Sequence, residues 1–285
     1  MKKKLNKYDI VIAVCAVVLI TVSTILVCES FSGIKADSAQ SDAKQLMEQG
    51  MRSASAATEP PAEASFDPDE QTEDTEPKVQ EDFLPLLEQN DHFAGWLTAG
   101  KYIDFPVVQD DNKYYLTHNF FDEHDINGAT FLDEHNSLTP KDDVLIIYGH
   151  NMKSGAIFGR LKRYLEFDYL SQYPIVGFRT VYDEEDVYYT PIAAIDVSVF
   201  GNDKHYFNVK RINFDTDADF QDYLDEAAER SVWQPKVDVC PEDKLLVLMT
   251  CSYVYQYGRL LVICRQLRED ESPESVTALY SVPAE

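Results

Sequence analysis

Short runs of β-branched and aromatic residues, each bounded by turn-forming residues, recur along the sequence between residues 102 and 267. Runs of this length and composition are typical of β-strands. Two helical patterns, at 154–170 and 217–233, interrupt the series. Many closely spaced strands with few helices are typical of barrels and sandwiches, so we expect a mostly β fold and not an alternating α/β sheet. The strand runs are YIDFPVV (102–108), GATFLDE (128–134), DVLIIYGH (143–150), YPIVGFRTV (173–181), DVYYTPIAAIDVSVF (186–200), KLLVLMT (244–250) and RLLVICRQL (259–267).

The N-terminal residues carry the pattern of a membrane anchor. Residues 10–28, IVIAVCAVVLITVSTILVC, contain no charged residue, and four lysines precede them. About 20 apolar residues span the hydrocarbon core of a bilayer, and flanking lysines stay on the inner side. The sequence predicts a basic cytoplasmic segment over 1–9, an uncleaved anchor over 10–28, and the rest of the chain on the extracellular face of the cell membrane. A cleaved signal peptide is the alternative, although its apolar core is normally shorter.

The acidic balance of the chain bears on its linker and on its partners. The formal net charge is −25, which argues against nucleic-acid binding because phosphates require a basic surface. Residues 29–80 are poor in core-forming residues, and AQSDAKQLMEQGMRSASAA (39–57) is compatible only with a short, weak helix. The second half of the segment is acidic and rich in proline, a composition that stays extended and disordered. We expect a stalk there, a catalytic domain over 81–270 and a C-terminal tail over 271–285. A partner-binding acidic tail is the alternative interpretation of the stalk.

Cys251 and Arg259 stand at the facing ends of the last two strand runs, joined by the loop SYVYQYG. If these runs form an antiparallel hairpin, Cys251 lies opposite Arg259, and Cys264 lies far along the partner strand. A disulfide from Cys251 to Cys240 or Cys264 is the structural alternative outside the cytoplasm. The hairpin register disfavours Cys264 as that partner.

His150 follows the run VLIIY and Gly149, so we expect a strand end to hold it. Histidine is the usual group that takes a proton from a reactive thiol. The three residues together predict acyl transfer: Cys251 attacks a carbonyl, His150 passes the proton to the leaving amine, and the Arg259 guanidinium donates hydrogen bonds to the oxyanion. This chemistry needs no metal and no cofactor.

These motifs, in this order, resemble the class B sortases. YGHNM at 148–152, TCSY at 250–253 and GRLLVI at 258–263 carry the resemblance, which extends over about residues 81–267. Other stretches also resemble class B segments, namely LLEQNDHFAGWL (86–97), FPVVQDDNKYYLTHNF (105–120), GATFLDEHN (128–136), HNMKSGAIFGRLKRY (150–164) and the helical pattern at 217–233.

The resemblance implies an eight-stranded closed sortase barrel with an N-terminal helix and a long helix before the cysteine strand. It implies calcium-independent transpeptidation on the outer face of a Gram-positive membrane. A sorting signal of a secreted protein would be cleaved, and its threonine joined through a thioester to an amine of a peptidoglycan precursor or a pilin. The resemblance also implies substrate contacts for Asn112, Leu116 and Thr250. Met249 stands where the family often has serine, so the recognised motif can differ.

Two other functions fit the same residues. A secreted cysteine peptidase or amidase would use the same cysteine and histidine but release the acyl group to water. In papain-like enzymes the cysteine usually precedes the histidine, whereas here His150 precedes Cys251. A non-catalytic surface module would keep the barrel only as a binding scaffold, which the intact Cys251, His150 and Arg259 disfavour.

Overall fold

The computed structural model describes residues 7–57 and 77–281. Within them, eight strands close into a barrel in the order β1-β2-β3-β4-β7-β8-β6-β5. The closed barrel confirms the predicted mostly β fold. The strands are β1 (Phe93–Ala99), β2 (Ile103–Val108), β3 (Thr130–Leu132), β4 (Val144–Tyr148), β5 (Val176–Thr180), β6 (Tyr188–Ser198), β7 (Leu245–Cys251) and β8 (Gly258–Gln266).

Helices and short helical turns lie between and around the strands. The helix α4 begins after Thr216, whose hydroxyl accepts a hydrogen bond of 3.1 Å from the Asp219 N–H, as expected of an N-cap. It corresponds to the helix predicted at 217–233. The α-helices are α1 (Lys7–Ala57), α2 (Leu84–Gln89), α3 (Phe167–Gln172), α4 (Asp217–Arg230) and α5 (Pro273–Ser281), and the 3₁₀ helices are Glu81–Phe83, Tyr114–Leu116 and Leu161–Leu165.

The strands at the centre of the barrel are buried on both faces. In β7 every residue from Leu245 to Thr250 is buried, and in β4 so is every residue from Val144 to Ile147. Strands covered on both sides appear in sequence as continuous apolar runs and not as alternating ones. This is why VLII and LLVLM occur as unbroken apolar stretches.

The register of the central strands brings two strand ends to one edge of the barrel. β4 and β7 run parallel, with Tyr148 beside Met249. β7 and β8 run antiparallel, with Cys251 opposite Arg259 and Cys264 opposite Leu246. This confirms the predicted hairpin register.

The N-terminal helix differs from the predicted stalk. Residues 29–57 lie within α1 and not in a disordered linker, and the second half of α1 packs on the barrel. A Cβ at Gly50 would lie 1.8 Å from the Asp82 carbonyl oxygen, so glycine permits a very close approach there. Residues 58–76, the rest of the predicted stalk apart from its last four residues, lie outside the described residues. The buried residues in the second half of α1 include Ala36, Ala43 and Met47.

The prediction of a membrane location is wrong. In the parts of the chain that the structure describes, no helix is both long enough and apolar enough to cross a bilayer. Residues 10–28 belong to the longer helix α1, which continues to Ala57. Residues 1–6 of the predicted basic segment lie outside the described residues.

Two smaller predictions also change. The segment predicted as one helix at 154–170 forms a loop, a 3₁₀ helix and the start of α3, and Gly155 in it has φ of +88°, which interrupts a right-handed helix. The predicted C-terminal tail contains α5, with Val276 and Tyr280 buried against the domain. Residues 282–285 lie outside the described residues.

Candidate active site

Cys251 is the last residue of β7 and the first in that strand to reach the surface. Thr250 before it is buried, whereas Cys251 is exposed and its thiol is free. Cys240 and Cys264 are also free thiols, so neither of the disulfides considered above is formed. An exposed thiol at the end of a rigid strand is accessible to a substrate.

Arg259 lies across the hairpin from Cys251 and is partly buried. Its guanidinium Nη1 donates a hydrogen bond of 2.9 Å to the Gly258 carbonyl oxygen. Among the described residues, no carboxylate forms an ion pair with Arg259. The guanidinium therefore keeps donors available beside the thiol, in a chain that has twice as many acids as cations.

His150 follows the end of β4, where Gly149 turns the chain. Its Nε2 lies 2.8 Å from the Leu116 carbonyl oxygen. A carbonyl oxygen can only accept, so Nε2 carries the hydrogen and, in the neutral ring, Nδ1 holds the free lone pair. The contact sets both the tautomer and the orientation of the imidazole.

Three hydrogen bonds join the His150 loop to the end of β7. The Gly149 N–H donates to the Met249 carbonyl oxygen at 3.2 Å. The Thr250 hydroxyl donates to the Gly149 carbonyl oxygen at 2.6 Å. The Asn151 amide donates to the Cys251 carbonyl oxygen at 2.7 Å. The chain on both sides of His150 is thus tied to the residues at and before Cys251.

A buried carboxylate lies beside this site. Asp133 accepts a hydrogen bond from the Tyr148 hydroxyl, the last side chain of β4. Burial raises the pKa of the Asp133 carboxyl, but hydrogen bonds from Tyr148, His135 and Asn112 outweigh burial and hold that pKa below its ordinary value. Burial and the bond to Asp133 raise the pKa of the Tyr148 hydroxyl well above its ordinary value, while Arg259 opposes that rise. Tyr148 therefore stays neutral, and Arg259 lies near enough to interact with it.

The three residues predicted to contact substrate have different environments. Asn112 donates to the Asp133 and Glu134 carboxylates at 3.2 and 3.3 Å, and accepts from the Glu134 N–H at 3.0 Å, so its amide is engaged within the protein. Leu116 has a side chain 36% exposed and gives its carbonyl oxygen to His150. Thr250 is buried, and its hydroxyl bonds to Gly149.

An apolar surface follows Cys251 in the β7–β8 loop. Tyr253 is 83% exposed and Val254 is 61% exposed. The loop is nevertheless held in place, because Ser252 donates to the Asp196 carboxylate and the Tyr255 ring stacks on His205 with centroids 4.1 Å apart. An exposed apolar surface thus follows the thiol in a loop that is anchored at Ser252 and Tyr255.

Sequence reasoning missed two contributors to this site, Asn151 and the Asp133–Tyr148 pair. Asn151 adjoins His150 in YGHNM, which was the available signal, whereas nothing local connects Asp133 with Tyr148. Over the described residues, no group of three or more histidine, cysteine or acidic side chains is arranged to hold a metal ion.

Comparison with solved structures identifies the class of protein. A Bacillus anthracis protein described as similar to sortase B superposes with a TM-score of 0.64 at 25% identity, over 82% of this chain and 96% of that one. A Staphylococcus aureus sortase B–substrate complex superposes with a TM-score of 0.60 at 27% identity, over 67% of this chain and 87% of that one. The closed eight-stranded barrel is that of the sortases, which are cysteine transpeptidases.

Sequence comparison identifies the family within that class. Sortase B of Listeria monocytogenes is 32% identical over 205 residues, which are 70% of this chain and 80% of the relative. No family model matches the chain. The chain belongs to the class B sortases.

Proposed function

We propose that the protein cleaves a C-terminal sorting signal of secreted proteins through a Cys251 thioester and transfers the new carboxyl group to an amine of a peptidoglycan precursor or a pilin. The observation that carries this proposal is the pairing of an exposed, free Cys251 with Arg259, at the barrel edge where His150 follows the end of β4. Membership of the sortase B family supports a sorting-signal substrate, and the Staphylococcus aureus relative was solved with a substrate.

The proposed first half-reaction follows from the hydrogen bonds of His150. With Nε2–H donated to Leu116, the Nδ1 lone pair takes the proton from the Cys251 thiol. The thiolate attacks the scissile carbonyl carbon, and the Arg259 guanidinium donates to the resulting oxyanion. The C–N bond breaks as His150 returns its proton to the leaving amine, which leaves a thioester on Cys251.

The proposed second half-reaction reverses the roles of the same groups. The acceptor amine attacks the thioester carbonyl, and His150 removes a proton from that amine. The C–S bond then breaks, and the cysteine recovers its proton. The Cys251 thiol is regenerated, and the acyl group is joined to the acceptor by a new amide bond.

We also propose how the predicted contact residues serve the substrate. Leu116 offers an exposed apolar side chain beside His150 and contacts the peptide directly. Asn112 acts by holding the segment before Leu116 against the residues that follow β3, since its amide is already engaged there. Thr250 acts through its backbone, since its hydroxyl is bonded to Gly149. The catalytic unit would comprise residues 81–270.

Product analysis tests the reaction class. The full-length chain is incubated with a quenched library of sorting pentapeptides, with and without a triglycine acceptor, and products are identified by mass spectrometry. We expect a peptide–triglycine adduct and a mass increase on Cys251. Hydrolysis product alone, at any acceptor concentration, would identify a peptidase or amidase. Absence of both product and acyl-enzyme would favour a non-catalytic module.

Replacement of Arg259 separates an oxyanion role from a structural one. Loss of one donor to an oxyanion typically lowers turnover on the order of 100-fold to 1,000-fold. We expect Arg259→Ala to reduce kcat by about that factor with little change in KM, because the interaction forms mainly in the transition state. Arg259→Lys should recover only part of the rate, since an ammonium lacks the guanidinium fork.

Arg230→Ala is the matched control for Arg259. Arg230 is also partly buried, but it pairs with Glu226 on α4. Its replacement should leave both kcat and KM unchanged. If Arg259→Ala behaved like this control, Arg259 would be only a strand-edge residue.

A further inference from the structure

β4 and β7 separate at the candidate site. Their parallel pairing ends with Tyr148 and Met249, and the last backbone hydrogen bond between them in the described chain runs from Gly149 to Met249. Beyond that point the chain after β4 turns into the His150 loop, whereas β7 continues against β8. The strand ladder alone therefore does not set how Cys251 lies relative to His150.

Hydrogen bonds hold both sides of the peptide unit that follows Cys251. Its carbonyl oxygen accepts from the Asn151 amide at 2.7 Å. The N–H of the same unit, on Ser252, donates to the Gly258 carbonyl oxygen at 3.0 Å. A peptide unit is planar, so holding both groups fixes the rotation about the Cα–C bond of Cys251. That rotation helps to set the direction of the thiol.

The backbone that carries Asn151 is itself held in place. The His150 carbonyl oxygen accepts from the Met152 N–H at 3.1 Å and from the Phe158 N–H at 3.0 Å. Asn151 also forms an antiparallel bridge with Ile157, which is buried. The Asn151 side chain thus extends from backbone that is held by hydrogen bonds on both sides. Its amide therefore donates to the Cys251 carbonyl oxygen from a fixed position.

We infer that Asn151 is a positioning residue of the transpeptidation: its amide holds the Cys251 peptide unit so that the thiol faces His150 and Arg259. The inference rests on the proposed function and adds a residue to it. The side chain needs a donor that reaches the Cys251 carbonyl oxygen. Aspartate has the same shape, but its carboxylate would place an acceptor against that oxygen.

The test compares Asn151→Ala, Asn151→Asp and Asn151→Gln in the full-length chain. A misplacement of about 1 Å can cost on the order of 100-fold in rate. We expect Asn151→Ala to lower kcat by about 10-fold to 100-fold, with little change in KM. Asn151→Asp should be at least as impaired, and Asn151→Gln, which keeps the amide donor, should recover part of the loss.

Asn213→Ala is the matched control for loss of an amide hydrogen bond. Asn213 is exposed, and its amide donates to the Asp142 carboxylate at 2.7 Å, in a loop away from Cys251. Its replacement should leave kcat at the wild-type value. Thermal unfolding is measured for all variants, because a purely structural role of Asn151 would lower the melting temperature while kcat of the folded protein stayed normal.

The rate at which iodoacetamide alkylates Cys251, followed by peptide mass spectrometry, gives a readout that needs no peptide turnover. The direction of the exposed thiol depends on the peptide unit that Asn151 holds, so Asn151→Ala should be alkylated at a different rate from the wild type and Asn213→Ala, which should match each other. If the wild type forms no product, the proposed function fails, and the alkylation comparison alone decides the inference. Two results would overturn the inference. One is an Asn151→Ala protein with both the kcat and the alkylation rate of the wild type. The other, if the wild type forms no product, is an Asn151→Ala protein that is alkylated at the wild-type rate.

Discussion

We expect Cys251→Ala to abolish cleavage of the sorting peptide and formation of the acyl-enzyme. Removal of a catalytic nucleophile lowers turnover on the order of 10,000-fold or more. Cys251 is exposed at the end of β7, so its truncation removes little packing, and stability should change by no more than about 0.5 kcal/mol. Peptide turnover, intact-protein mass spectrometry and thermal unfolding measure the three quantities.

Cys264→Ala is the matched control, because Cys264 is on the neighbouring strand and fully buried. Burial raises the pKa of its thiol, so this thiol is inert. We expect Cys264→Ala to retain turnover and to lose about 1–2 kcal/mol of stability from the cavity it leaves. A peptide adduct on Cys251→Ala protein, or a disulfide at Cys251 in native protein, would contradict the nucleophile assignment.

The β7–β8 hairpin was predictable because its register depends on local sequence. A short loop joins two apolar runs, and a slip of one residue would turn every side chain to the other face of the sheet. Cys251 and Arg259 were therefore expected to face each other, and they do. Cys264 was disfavoured as a disulfide partner on the same ground, and it lies opposite Leu246.

The approach of His150 to Cys251 was a different kind of prediction. It depends on the parallel pairing of β4 with β7, which are about 100 residues apart in the chain. No local pattern specifies which strands become neighbours when a barrel closes. The residue types predicted that His150 and Cys251 act together. Only the fold shows the hydrogen bonds of Gly149, Thr250 and Asn151 that join the His150 loop to the end of β7.

The N-terminal region shows the limit of composition as a guide. Residues 36–50 were assigned to a stalk because they include few large apolar residues. In the structure Ala36, Ala43 and Met47 lie on one face of α1 and are buried on the barrel. Small side chains permit close packing without an obvious apolar stripe, so a weak helical pattern was taken for disorder.

The charge distribution around Arg259 also depended on the fold. In a chain with 50 acidic residues and 25 basic ones, an arginine is expected to find a carboxylate partner. Near this edge the buried Asp133 is instead engaged by Tyr148, Asn112 and His135. These hydrogen bonds satisfy the carboxylate, and Arg259 keeps donors available for the oxyanion role proposed above.

The second large effect is expected at His150. General acid–base catalysis by one side chain contributes about 100-fold to 10,000-fold, and we expect His150→Ala to lower kcat by a factor in that range, with KM little changed. The wild-type rate should follow a bell-shaped pH curve, because one group must be unprotonated for attack and another protonated for departure. The measurement is kcat and KM on one sorting peptide across pH.

Two further variants distinguish proton transfer by His150 from a merely structural contact. His150→Gln keeps an amide that can donate to the Leu116 carbonyl oxygen but cannot carry a proton between sulfur and nitrogen. If proton transfer is the role, glutamine should be as inactive as alanine while it keeps the melting temperature of the wild type. His118→Ala is the control, because His118 is only partly buried and stacks on Tyr114 with ring centroids 4.1 Å apart. A near-normal rate in His150→Ala together with a large loss in His118→Ala would assign the proton transfer to His118, and substantial activity in His150→Gln would reduce His150 to holding its loop on Leu116.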